Sequence, residues 1–129
     1  MAEANLEIAI RNITAQEAWL TNEITDIMTD KYLLIDRSSD LGTETQDKKE
    51  ALKAQYDYDT SSTGYQSALD DINSDYELAL EEISNLEEEL DLKKEEIEVD
   101  LNALGTTKEN YVSILGSNIE ESYTYCQDS

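Results

Sequence analysis

Apolar residues recur along this chain at alternating gaps of four and three. From the first leucine the pattern runs Leu6, Ile10, Ile13, Glu17, Leu20, Ile24, Ile27, Lys31, Leu34, and seven of those nine positions are aliphatic. This period places one stripe along a helix and suits packing against a second helix, so it predicts a helix over residues 3–37. Ile8, Ala15, Met28 and Ile35 widen the apolar face. The helix is expected to stop at Ser38-Ser39-Asp40-Leu41-Gly42, where small and polar residues gather.

A second stripe follows Ser67. It comprises Leu69, Ile72, Tyr76, Ala79, Ile83, Leu86 and Leu90. It continues through Lys94, Ile97, Leu101, Leu104, Lys108, Tyr111, Leu115 and Ile119, to Ser122 and Cys126. The spacing predicts a long helix over residues 66–125, with a stutter at Leu86-Leu90-Lys94 where two gaps of four adjoin. Between the stripes, residues 38–65 read as a polar connection. Its stretch 43–56 permits helix, with Ala51, Leu52 and Tyr56 as its only anchors. The stretch 56–65 loses the helical period, carries loop-forming residues and reads as the main connection, with short extended pieces allowed by its Tyr and Thr content. Gly105 either caps a helix ending at Leu104, with Thr106-Thr107-Lys108-Glu109 opening the next, or sits inside one helix, continuous or bent; the latter is the preferred reading.

The expected fold is therefore all-α: one domain over 1–129, built as a long antiparallel helical hairpin or coiled coil with an extended C-terminal helix. There is no proline to interrupt either helix. At 1.5 Å per residue the two helices would measure roughly 50 and 90 Å, leaving about 40 Å of striped helix without a partner in the same chain. Oligomerisation is the expected remedy. The assembly seam then comprises the apolar stripe residues: Leu6, Ile10, Ile13, Leu20, Ile24, Ile27 and Leu34 on the first helix. On the second they are Leu69, Ile72, Tyr76, Ile83, Leu86, Leu90, Ile97, Leu101, Leu104, Tyr111, Leu115 and Ile119.

Charge narrows the function. The 129 residues hold 31 Asp and Glu against 9 Lys and Arg, a net charge of −22. Nucleic acid and anionic lipid would repel such a surface. The stretch 70–100 holds 14 acids and two bases, and reads first as the solvated face of a helix. Its sharper reading is a surface for basic partners or for calcium and magnesium, which prefer oxygen ligands. Asp57, Asp59 and Ser61 stand at the first ligand spacings of a calcium loop, but Ser62 and Ala68 occupy positions that need Gly and Glu, which rules out an EF-hand.

Catalysis finds little footing. The chain has no histidine, so imidazole triads and His-ligated metal sites cannot form. Its carboxylates have no expected pocket to separate their pKa values. No enzyme activity, cofactor or metal is expected. The longest strongly apolar run, Tyr32-Leu33-Leu34-Ile35, is far short of a membrane span. The N-terminal residues lack the basic and apolar regions of a secretory signal. A place outside the cell or on its surface, reached without a signal peptide, is favoured over the cytoplasm. The sequon Asn12-Ile13-Thr14 falls within the first helix and is discounted. Trp19 lies beside the first stripe, as peripheral core or as part of a contact between subunits. Among the eight tyrosines, Tyr56, Tyr58 and Tyr65 cluster in the connection, and Tyr111, Tyr123 and Tyr125 mark the C-terminal segment. Such rings suit wet interfaces.

Small size, acidity, lack of proline and a long C-terminal helix together resemble self-assembling export substrates, the needle and filament subunits of type III secretion. That resemblance implies a hairpin whose last helix is satisfied only in a filament. The segment from Leu90-Asp91-Leu92-Lys93-Lys94-Glu95-Glu96-Ile97 to Asn118-Ile119-Glu120-Glu121-Ser122-Tyr123 also looks like the C-terminus of uncharacterised coiled-coil proteins from gut relatives of cyanobacteria, which brings no function. The WxG hairpins of type VII secretion match less well, since Leu20-Thr21 follow Trp19. The expected function is a structural subunit, not an enzyme, that assembles with copies of itself into a filament, tube or surface appendage. The alternative is an acidic helical adaptor or chaperone for a basic or amphipathic helical protein.

Overall fold

A computed structural model describes residues 2–128, and the side chains of residues 3–121. Two helices, α1 (Ala2–Gln55) and α2 (Thr63–Asp128), pack against each other as a hairpin, and the described residues include no strand. The connection expected over 38–65 is corrected by this arrangement. α1 continues through Ser38-Ser39-Asp40-Leu41-Gly42 as regular helix, and only the few residues between Gln55 and Thr63 join the two elements.

The extension has a physical cause. Beyond Leu34 the side of α1 that faces α2 passes through Ser38, Leu41, Thr45, Lys49 and Leu52, still at gaps of three and four. Leu52 and Thr45 are buried. Gly42 does not stop the helix; it lies beside Tyr76, whose hydroxyl a Cβ there would meet at an ordinary contact distance of 3.5 Å. Polar and small residues hid this stretch, yet they occupy the positions that helix packing requires. α2 is consequently only twelve residues longer than α1, 66 against 54. The large unmatched length expected of α2 is absent.

Two compact units divide the hairpin. The first comprises α1 as far as Ile27 and α2 from Lys93. Ile13 and Ile27 are its buried apolar residues, and Leu6, Ile10, Leu20, Ile24, Ile97, Leu101, Leu104, Tyr111 and Leu115 are half-buried. Helix α2 runs through Gly105 without interruption. The hydroxyls of Thr106 and Thr107 each donate back to the carbonyls of Asn102 and Ala103 at 3.0 Å. They are therefore engaged as helix-interior threonines and not as caps of a new helix.

The second unit is the turn end, Met28–Leu92. Leu52, Tyr65 and Ile83 are buried there; Leu34, Leu69, Ile72, Tyr76 and Leu90 are half-buried. The stutter expected at Leu86-Leu90-Lys94 is absent. Leu86 is 47% exposed, and Glu87 takes the half-buried position. With half-buried Leu80, the run Tyr76, Leu80, Ile83, Glu87, Leu90, Lys94 then alternates four and three without adjoining gaps of four. Periodicity alone favoured the leucine over the glutamate one position later.

The turn itself is built without glycine. The Tyr58 N–H donates to the Lys53 carbonyl at 2.8 Å and the Asp57 N–H to the Ala54 carbonyl at 3.2 Å. This crossed pair is a Schellman ending, which needs a left-handed residue just past the helix. Asp57 supplies it at φ 53°, and Tyr58 follows at φ 62°. Asp59 then accepts from the Ser61 N–H at 3.1 Å and from its hydroxyl at 2.6 Å. The Ser62 carbonyl accepts the first bond of α2, from the Gln66 N–H at 3.1 Å. Tyr56 and Tyr65 close the turn edge to face, with ring centres 6.1 Å apart. Gly64 admits the Tyr56 ring, whose atoms would lie 3.0–3.4 Å from a Cβ at that position.

Candidate interaction surface

One polar interruption of each stripe meets its counterpart on the other. Glu17 and Lys108, 91 residues apart in sequence, form a part-buried hydrogen-bonded ion pair at 3.1 Å within the first unit. Lys31 donates to Asp91 within the second. That hydrogen bond raises the Lys31 ammonium above its ordinary value; desolvation opposes it, and the negative charges of Asp91 and Glu87 assist. Charged residues on facing stripes fix register, since a slipped pairing would set a lone charge against an aliphatic neighbour. Lys94 pairs instead along its own helix with Glu98 at 3.8 Å.

The seam residues divide by exposure. Ile13, Ile27 and Ile83 are buried and most of the others half-buried, so these are engaged within the hairpin. Leu86 and Ile119 stand 47% and 51% exposed. Ser122 and Cys126 lie outside the residues whose side chains are described, as do Tyr123 and Tyr125. Ile8, Met28 and Ile35, expected to widen the packed face, are exposed instead, as are Leu33, Tyr32 and Trp19.

In the first unit, Trp19 borders an open cleft of about 410 Å³ lined by Gln16, Trp19 and Leu20 from α1 and by Asp100, Ala103 and Leu104 from α2. Its floor is the packed stripe, represented by Leu20 and Leu104. Its walls are the next residues around each helix. Sequence reading placed Trp19 beside the stripe but missed Ala103 and Gln16. The signal was present in the spacing, because Gln16 and Trp19 precede Leu20 by four and one, as Asp100 and Ala103 precede Leu104.

Among the described residues no three acidic or sulfur-bearing side chains gather as a metal site, and no helix is long and apolar enough to cross a membrane. Asp57 and Asp59, considered as calcium ligands, serve as helix stop and Ser61 acceptor. The Ser61 hydroxyl and N–H hold the Asp59 carboxyl below its usual range, with desolvation opposing them. No family model, curated protein or solved structure matches this chain.

Proposed function

We propose that this chain is a structural subunit, not an enzyme, that packs with copies of itself by coiled-coil contacts to build a filament, tube or surface appendage. The observation carrying this reading is unburied area. The chain exposes 9492 Å², whereas a compact monomer of 14.6 kDa exposes about 6,900 Å². The excess, roughly 2,600 Å², compares with about 800 Å² per partner in a standard protein interface. It is enough for several contacts per chain, as a filament requires, and more than a single dimer contact consumes. Among the described residues no large side chain is fully buried, which supports completion of the core by further helices.

Negative-stain microscopy with sedimentation velocity on the purified full chain tests this. Extended or tubular particles, growing with concentration, are expected. A strictly monomeric species at every accessible concentration would overturn it. The second reading, an acidic adaptor for a basic partner, is supported by the repeated acid pairs Glu81-Glu82 and Glu88-Glu89, one heptad apart on the exposed side of α2. Saturable binding of a basic amphipathic helix by a monomeric chain would favour it.

A further inference from the structure

On a chain of net charge −22, the informative surface is one where charge thins out. The cleft beside Trp19 marks one side of the first unit, and the seven-residue repeat extends that side along both helices. On α1 it comprises Asn5, Ala9, Asn12, Gln16 and Trp19. On α2 it comprises Ala103, Thr107, Asn110, Ile114 and Ser117. None of these ten side chains is charged, although 31% of the chain is. Two carboxylates border its cleft end: Asp100, three residues before Ala103, lines the cleft, and Glu23 follows Trp19 at the same repeat. Of the other nearby charges, Glu17 and Lys108 pair between the helices, while Glu7, Arg11 and Glu109 occupy the other side by the same repeat. Trp19 and Ile114 on this strip are 62% and 47% exposed, and the small residues Ala9, Ala103 and Ser117 leave its backbone approachable.

We infer that this neutral strip is a contact between two copies of the chain, each seating its Trp19 side against the other's cleft beside Ala103. The inference rests on the self-association proposed above and names the surface that performs it. Charge selects the occupant. A basic partner would gain most from the acid-rich faces and little from a strip whose cleft holds the single carboxylate of Asp100. A second copy, itself at −22, approaches most closely where carboxylates are sparse. The strip is also where burial is least costly, because Asn, Gln and Thr can hydrogen-bond across an interface while the Trp ring supplies apolar area. Two-fold pairing through one strip uses a single contact per chain, leaving the rest of the exposed apolar surface for growth.

The full-length chain provides its own probe, since Trp19 is its only tryptophan. Sedimentation equilibrium and Trp emission are followed across a dilution series for the wild type, Ala103→Glu and Val99→Glu. Residue 99 is 65% exposed and lies off the strip, so its variant controls for added charge. Circular dichroism verifies that each remains helical. We expect Trp19 emission to move to the red on dilution, association at least tenfold weaker for Ala103→Glu, and little change for Val99→Glu. If the wild type associates and Ala103→Glu does so equally well, the strip is wrong while self-association stands. If the wild type never associates, both fall. If Trp19 responds only to an added basic helical peptide, the occupant is a partner and not a copy.

Discussion

At the scale of single residues, the turn concentrates the unusual chemistry. Left-handed backbone is tolerable for Asp57 but costly for a tyrosine, whose Cβ crowds the following carbonyl. Tyr58 sits at φ 62° and is 73% exposed, so its side chain returns little packing for that conformation. Tyr58→Gly is therefore expected to stabilise the hairpin by up to about 1 kcal/mol, the αL relief being partly offset by glycine's unfolded-state entropy. Thermal unfolding checks it, and a lowered midpoint would mean that the tyrosine ring has a use here. Asp59 makes a different prediction. Its carboxyl is held below the usual value by Ser61, so its contribution is present above the unfolded-state value. That contribution fades as pH falls through the lower folded value. Asp59→Ala should lower the melting temperature at pH 7, and the gap from wild type should close in strong acid. A gap that persists at pH 2 would assign the effect to packing instead.

At the scale of elements, the two stripes were legible because aliphatic residues at three-four spacing have no better explanation than a packed helix face. Legibility failed where the same geometry is filled by other chemistry. Ser38, Thr45 and Lys49 continue the facing side of α1, and Glu87 displaces Leu86 on α2, because position on the helix outranks hydrophobicity once a partner charge or a small neighbour is available. Glu87 lies close enough to act on Lys31; Gly42 adjoins Tyr76. The main connection read over 56–65 does contain the turn. The end of the first helix was misplaced at 38–42, because the actual stop signal is an aspartate and a tyrosine and not Gly42. The cleft beside Trp19 needed the pairing of two helices before its second wall could be seen. If the C-terminal third of α1 is truly packed, Leu52→Ala must cost about 2–4 kcal/mol, as for other buried leucines. Leu33→Ala, removing a side chain that is 61% exposed, should stay within about 0.5 kcal/mol. Urea denaturation of both variants decides this; equal, small effects would mean that residues 38–55 contribute no packing energy.

At the scale of the whole molecule, attraction and repulsion have different ranges, and that difference is measurable. Exposed apolar and neutral surface attracts only on contact, whereas a net charge of −22 repels a second copy well before contact. Salt leaves the first nearly unchanged and shortens the second, with a Debye length of about 30 Å at 0.01 M and about 8 Å at 0.15 M. Lowering the pH toward 5 acts in the same direction by removing part of the carboxylate charge. The ion pairs within each hairpin, Glu17 with Lys108 and Lys31 with Asp91, are intramolecular. Screening them loosens the subunit slightly without touching the contacts between copies. Association of the full chain should therefore strengthen on going from 0.01 to 0.15 M NaCl, and again from pH 8 to pH 5, as read by light scattering. Should the complexes dissociate as salt is added, complementary charges must be holding the copies together, and a neutral contact could not be the surface that joins them.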